Sequence, residues 1–240
     1  ARQNKQKRVC MEKVLLTLFF VLFFGRMALR FALQQINIQN LKTSGREIPS
    51  VFTGEIDSVT LNKMVDYTCD QSRLESKENL AGDFVGLAVL FLLLPVLVVW
   101  LAGLNLHMIP QTLIFFAVLA FISGMAGLPF NLYHTFVIEK KYGFSTITWA
   151  LWLDDLVKSV IISAILLTII ASALMAFILY LPNTWWFWGW VFFTAFQMGL
   201  LWLYPVLIAP LFNKFEPVKD DALKEKVEAV LSRAGLTAKG

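Results

Sequence analysis

Residues 84–104 read FVGLAVLFLLLPVLVVWLAGL, from Phe84 to Leu104 without a single charge. A bilayer core of about 30 Å takes about 20 helical residues at 1.5 Å each, so this stretch is long enough to cross a membrane once. Pro95 near its middle predicts a kink, because proline offers no N–H and its ring crowds the preceding turn.

Four more segments on either side pass the same test. Val14–Leu33 is apolar apart from a few positions. Among these, Arg26 and Arg30 are four apart, share a helix face near one end, and are expected to snorkel to lipid headgroups. Thr112–Phe130 is rich in small residues (Ala117, Ala120, Ser123, Gly124, Ala126, Gly127) that permit close helix packing. Leu156–Leu181 carries only Lys158, and Trp185–Ile208 opens on Trp185, Trp186, Phe187, Trp188 and Trp190. With Trp149 and Trp152, that run marks a headgroup belt.

Composition agrees. The 240 residues are 58% hydrophobic and 16% charged, against about 45–50% and about 25% in a soluble domain, and mean hydropathy is +0.65. Disorder, a coiled coil, collagen and a disulfide-stapled module are excluded. A dispersed net charge of +4 gives no case for nucleic acid as a partner, and Cys10 and Cys69 read as ordinary free thiols. The expected fold class is all-α integral membrane, with five transmembrane helices and a C-terminal amphipathic helix.

The expected organisation is an N-terminal tail (1–13), a five-span membrane domain (14–208) and an exit segment (209–240). A polar first loop, 34–83, interrupts the membrane domain. In that loop Pro49 breaks the chain, and Leu61, Met64, Val65 and Tyr67 suggest a short helix. After the turn-rich run Ala209–Pro217, Asp220 or Asp221 can cap a helix that Gly235 stops. Leu223, Val227, Val230, Leu231 and Ala234 stripe one face of it. A lone helix of this length is marginal in water. It either lies on the membrane or awaits a partner, and the sequence reads as cut.

Basic residues set the expected orientation. Alternating spans leave Arg2, Lys5, Lys7, Arg8 and Lys13 on one side and thirteen Lys and Arg on the other, Lys140, Lys141 and Lys214 among them. The positive-inside rule then places the first loop, the third loop and the C-terminal tail in the cytoplasm. The N-terminal five conflict with this, a conflict reduced to Lys13 if Met11 is the initiator.

Hydrolytic zinc needs three protein ligands and an open position. The only histidines are His107 and His134, and neither H-E-x-x-H nor G-x-S-x-G occurs. Asp83, Asp154 and Asp155 stand at span ends, and Asp154 precedes Lys158 by four, the spacing of a helical ion pair. No catalytic, cofactor-binding or metal residue is expected in this chain. The most unusual polar run is Gly127–Phe144. It supplies Asn131, Tyr133, His134, Thr135 and Glu139 as candidate chamber or substrate contacts, with Asn213 further on. An interfacial helix and a chamber wall both fit this run. On a regular helix Thr135 and Glu139 would face together.

The run G-L-P-x-x-L-Y-x-T-F-V-I-E-x-x-x-G-F over 127–144 closely resembles the signature near the third span of the CAAX prenyl protease 1 family. I-A-P-L-F-N-K-F over 208–215 resembles the family's motif after the fifth span. The resemblance covers Ile48 to Gly235. It implies a helical barrel around a water-filled chamber and a zinc endopeptidase whose H-E-x-x-H lies beyond this chain. The implied partners are the lipid bilayer, a C-terminal zinc peptidase domain, and prenylated C-a-a-X or other membrane-associated peptides. It implies no cofactor in this chain, with zinc in the full-length family member. The membrane would be endoplasmic reticulum or bacterial inner membrane. A non-catalytic binding or assembly module remains the alternative.

Overall fold

The computed structural model describes residues 2–48, 54, 57–213 and 221–235, with backbone alone at 2–10, 221 and 224. Pro49, Asp220 and residues 214–217 of the exit run lie outside the described residues. All regular structure among the described residues is helical: α1 (Arg2–Thr43), α2 (Ser58–Ala88), α3 (Leu94–Gly103), α4 (Met108–Tyr133), α5 (Glu139–Tyr142), α6 (Trp149–Tyr180), α7 (Trp185–Leu203), α8 (Ala209–Phe212) and α9 (Asp221–Arg233). Three π-helical turns, Val89–Leu93, His134–Ile138 and Tyr204–Ile208, join neighbouring helices end to end. The result is five helices long and apolar enough to span a membrane: Met11–Thr43, Ser58–Gly103, Met108–Tyr142, Trp149–Tyr180 and Trp185–Phe212.

Each is longer than its apolar run. The stretch read as a polar first loop is mostly helix: α1 continues through Gln34 to Thr43, and α2 begins at Ser58, far ahead of Phe84. The short helix expected near Leu61–Tyr67 is thus the opening of a span. Hydropathy falls where charges begin, but the backbone ladder need not stop there if the polar side chains find partners across the hairpin. Asp57 starts α2, its Oδ1 accepting the Thr60 N–H at 3.2 Å. The Thr60 side chain, the main cause, and this N–H bond together hold the Asp57 carboxyl below the ordinary aspartate range.

The proline expectation resolves into a π turn. Pro95 cannot donate to the carbonyl four residues back, and the turn before it widens, with the Leu94 N–H reaching Val89 O. Pro205 lies inside the turn Tyr204–Ile208, where the Ala209 N–H reaches Tyr204 O.

The chain divides into two compact units, 1–152 and 153–240. In the first, α1 and α2 form an antiparallel hairpin with a regular polar ladder. Arg26 Nη2 donates to Asp83 Oδ1 at 2.5 Å, Arg30 Nη1 to Asn79 Oδ1 at 3.3 Å, and Gln34 Nε2 to Glu75 Oε2 at 3.3 Å and Ser72 O at 2.9 Å. Each step of four residues along α1 moves four residues back along α2. The two arginines therefore face α2 and do not simply snorkel. Beyond the ladder Ile38, Val65 and Cys69 form a small buried cluster flanked by Leu41. The Cys69 thiol is free, as expected, and only 3% exposed. Arg46 Nη2 bonds Asp66 Oδ1 at 2.8 Å further along.

In the second unit, Phe177 and Phe192 meet edge to face at 5.9 Å. A Cβ at Gly189 would come within 3.3 Å of Leu174 Cδ2, so glycine here permits close approach. The expected Asp154–Lys158 pair is present at 2.6 Å, and Lys158 Nζ also donates to Leu211 O at 2.9 Å. α9 ends as expected, with Gly235 at φ +71.

Candidate functional site

The family-like run Gly127–Phe144 folds as the end of α4, a π turn and α5. Its last residues close in a Schellman arrangement: the Phe144 N–H donates to Glu139 O at 2.9 Å and the Gly143 N–H to Lys140 O at 3.1 Å. Gly143 takes φ +76, a conformation that favours glycine. The turn throws Phe144 back onto α2, where its ring meets Tyr67 edge-on at 5.0 Å with Lys63 Nζ 5.3 Å above it. Asp70 of α2 anchors the same end by accepting from Lys141 Nζ at 2.6 Å and Tyr142 Oη at 2.9 Å. The spacing of Glu139, Gly143 and Phe144 is thereby explained: acceptor, left-handed turn and packing ring in one unit.

The π turn rearranges the expected side-chain neighbours. With the Glu139 N–H bonded to His134 O, five residues back, residues 134 and 139 stand together. His134 Nε2 is 3.4 Å from Glu139 Oε1. Thr135, four residues before Glu139, makes no side-chain hydrogen bond with it among the described residues. Glu139 Oε1 also accepts from Tyr67 Oη at 2.6 Å, tying α2 to the start of α5.

Next to this cluster, α2 and α4 leave a groove of about 190 Å³ lined by Gln71, Leu74, Glu75, Glu78, Phe130, Asn131 and His134. Asn131 Oδ1 accepts from Trp152 Nε1 at 3.0 Å, which leaves its amide N–H groups for other partners. Phe136 stacks on Trp149 at 3.8 Å, and Lys140 Nζ lies 4.9 Å over the Phe136 ring. The groove reaches into the apolar length of α4: Glu78 Oε1 lies 3.9 Å from where a Cβ would stand on Gly127.

Of the residues singled out from sequence, Asn131 and His134 line the groove, and Glu139 touches His134 at its edge. Tyr133 is 50% exposed and does not line it. Thr135 is half-buried, without a side-chain hydrogen bond among the described residues. Asn213 belongs to the second unit, capping α8 with its N–H on Ala209 O. Sequence reasoning missed the α2 half: Tyr67, Gln71, Glu75 and Glu78. The signal was there, since 67, 71, 74, 75 and 78 recur at helical spacing, but a stretch treated as loop has no faces. No three His, Cys, Asp or Glu among the described residues are placed to hold a metal.

Fold and groove define a class: an all-α membrane domain of five spans, with polar side chains between two of them. Residues 37–214 match the family described as CAAX prenyl protease N-terminal, five membrane helices. The chain belongs to that family. It is 31% identical to CAAX prenyl protease 1 of Saccharomyces cerevisiae over 222 residues, covering 82% of this chain and 46% of that protein. It is 39% identical to CAAX prenyl protease 1 homolog of Oryza sativa subsp. japonica over 132 residues, 53% of this chain and 30% of the relative. The fold resembles that of the crystal structure of S. mikatae Ste24p at TM-score 0.77, with 24% identity, covering 88% of this chain and 51% of that one. The chain spans about half the length, or less, of these relatives.

Proposed function

We propose that this chain is the N-terminal membrane domain of a CAAX-prenyl-protease-type zinc endopeptidase, and that its α2–α4 groove is part of the chamber wall that receives a prenylated C-a-a-X or similar membrane-associated peptide. One observation carries the reading. Glu75, Glu78, Asn131 and His134 line a groove beside the apolar length of α4. Charged groups beside an apolar span are costly against lipid and belong against protein or water. The helical barrel around a water-filled chamber is part of the same proposal, and the substrate class comes from the names of the relatives.

The groove suits an extended peptide. Gln71 and Asn131 can donate to main-chain carbonyls, Glu75 and Glu78 can accept main-chain N–H groups, and Leu74 and Phe130 supply an apolar floor. The described residues do not fit a zinc centre: two histidines in the whole chain fall short of three ligands, and no metal-binding group is assembled. On this proposal zinc and hydrolysis belong to a C-terminal peptidase domain outside residues 1–240. The thirteen-to-five basic asymmetry supports a cytoplasmic third connection and C-terminal tail. Relatives from yeast and rice favour endoplasmic reticulum over a bacterial inner membrane.

Binding tests this on the 240-residue chain in lipid nanodiscs. A farnesylated C-a-a-X peptide should bind saturably and resist competition by the same peptide without its lipid. Empty nanodiscs serve as the blank. Uptake no greater than by empty discs would reject the chamber-wall reading in favour of an assembly module.

A further inference from the structure

The strongest chemistry that the chamber-wall reading leaves unused is the chain of contacts Tyr67–Glu139–His134. The Tyr67 hydroxyl donates to Glu139 Oε1 at 2.6 Å, and the same oxygen lies 3.4 Å from His134 Nε2. The tyrosine ring is fixed on two sides, edge to face with Tyr142 at 5.4 Å and with Phe144 at 5.0 Å. Glu139 is thus held by α2 while its own helix presents it to His134 across the π turn. A neutral imidazole carries its proton on one nitrogen and a lone pair on the other, and the choice follows from what the better-fixed nitrogen faces. A carboxylate next to Nε2 favours the proton there. Nδ1 is then the acceptor, and no described residue gives it a hydrogen bond. His134 also lines the α2–α4 groove.

We infer that Tyr67 and Glu139 are positioning residues that keep His134 as the Nε2–H tautomer, so that Nδ1 accepts a main-chain N–H from an extended peptide lying in the groove. The inference rests on the chamber-wall reading for its ligand but not for its tautomer. Only hydrogen bonds and the electrostatic contact of His134 with Glu139 are involved, and no covalent bond to the peptide is made or broken. The other charged groups of the groove, Glu75 and Glu78 on α2, are acceptors too, and on this inference they take different main-chain N–H groups of the same peptide. His134 at the end of α4 thereby complements Gln71 and Asn131, which can donate.

The chain suits a direct test, because His107 and His134 are its only histidines. Imidazole ¹⁵N spectra of the His107→Gln chain in micelles report His134 alone, with and without Glu139→Leu and Tyr67→Phe. The expected result is an Nε2–H tautomer in the parent, a mixture after Glu139→Leu, and a partial shift after Tyr67→Phe. In nanodiscs, Glu139→Leu should weaken the farnesylated peptide about tenfold, the worth of one well-formed hydrogen bond. The His134→Asn variant places an amide oxygen near the position of Nδ1. It should keep the affinity and make Glu139→Leu silent, a rescue that a merely structural role for Glu139 would not give.

An Nδ1–H tautomer in the parent, or one unmoved by Glu139→Leu, overturns the inference. So does an additive loss on combining His134→Asn with Glu139→Leu. Should the parent chain show the Nε2–H tautomer and bind no peptide, the chamber-wall reading fails, and the ligand assigned to Nδ1 fails with it. The positioning of His134 would stand.

Discussion

The two faces of α2 meet their neighbours differently. Toward α1 the polar groups are paired: Asp83, Asn79 and one oxygen of Glu75 each take a partner at a matching step of the opposite helix, and the hairpin ends in the buried cluster of Ile38, Val65 and Cys69. Toward α4 they are consumed only at one end, where Tyr67 and Asp70 hold α5, and beyond that the helices part into a groove. Polar side chains at comparable spacing therefore do two jobs. Where partners lie opposite, they register two helices. Where the opposite helix keeps its distance, they are left to meet something else.

The largest expected effect breaks the closed face. Asp83 is 10% exposed and Arg26 50%, so Arg26→Leu strands a nearly buried carboxylate. Discounted for the exposed arginine, the loss should be about 2 kcal/mol, and the Arg26→Leu/Asp83→Leu pair should recover most of it. Thermal melting in detergent checks both, and a fully additive double variant would contradict the ladder.

The open face should answer the other way. Gln71→Ala and Glu78→Ala should weaken the farnesylated peptide several-fold while stability stays within about 0.5 kcal/mol of the parent. A melting loss as large as that of Arg26→Leu would show that the groove is as structural as the hairpin.

Thiol chemistry sharpens the contrast. Cys69, 3% exposed, should resist maleimide in the folded chain and react once the hairpin is unfolded. Rapid labelling of the folded protein would mean that the α1–α2 face is open too. For sidedness, Ser145→Cys should react from the cytoplasmic face and Asn183→Cys should not.

The smallest effect concerns the start of α2. Because Thr60, through its side chain first and its N–H second, lowers the Asp57 pKa, the folded state binds that proton less readily than the unfolded one. The cap's contribution is complete above the ordinary aspartate pKa and fades as pH falls through the lowered folded value. Asp57→Ala should give a slightly lower melting temperature at neutral pH and a shallower acid dependence, followed by circular dichroism.

The five spans were legible because uninterrupted runs such as Phe84–Leu104 signal through composition alone. The helical extensions were not, because windowed hydropathy ends at the first charges. The fours in Arg26, Arg30, Gln34 and in Glu75, Asn79, Asp83 gain meaning only once both helices are known to continue. At the site, Asn131, His134 and Glu139 could be found from their polar run, whereas their partners sat in the presumed loop. The His134–Glu139 contact was hidden for another reason: a π turn shifts the backbone bond from the fourth residue to the fifth and brings 134 and 139 together, and no residue type in the run announces it.

The central claim is that the groove face of α2 meets substrate and the opposite boundary of the span meets lipid. A photo-crosslinking amino acid at Glu78, compared with one at Leu92, which is 70% exposed within the apolar run, separates the two in nanodiscs. With a farnesylated C-a-a-X peptide, saturable crosslinking at 78 that unlabelled peptide competes away, and lipid adducts alone at 92, is the predicted result. Competable crosslinks at 92 with none at 78 would contradict it.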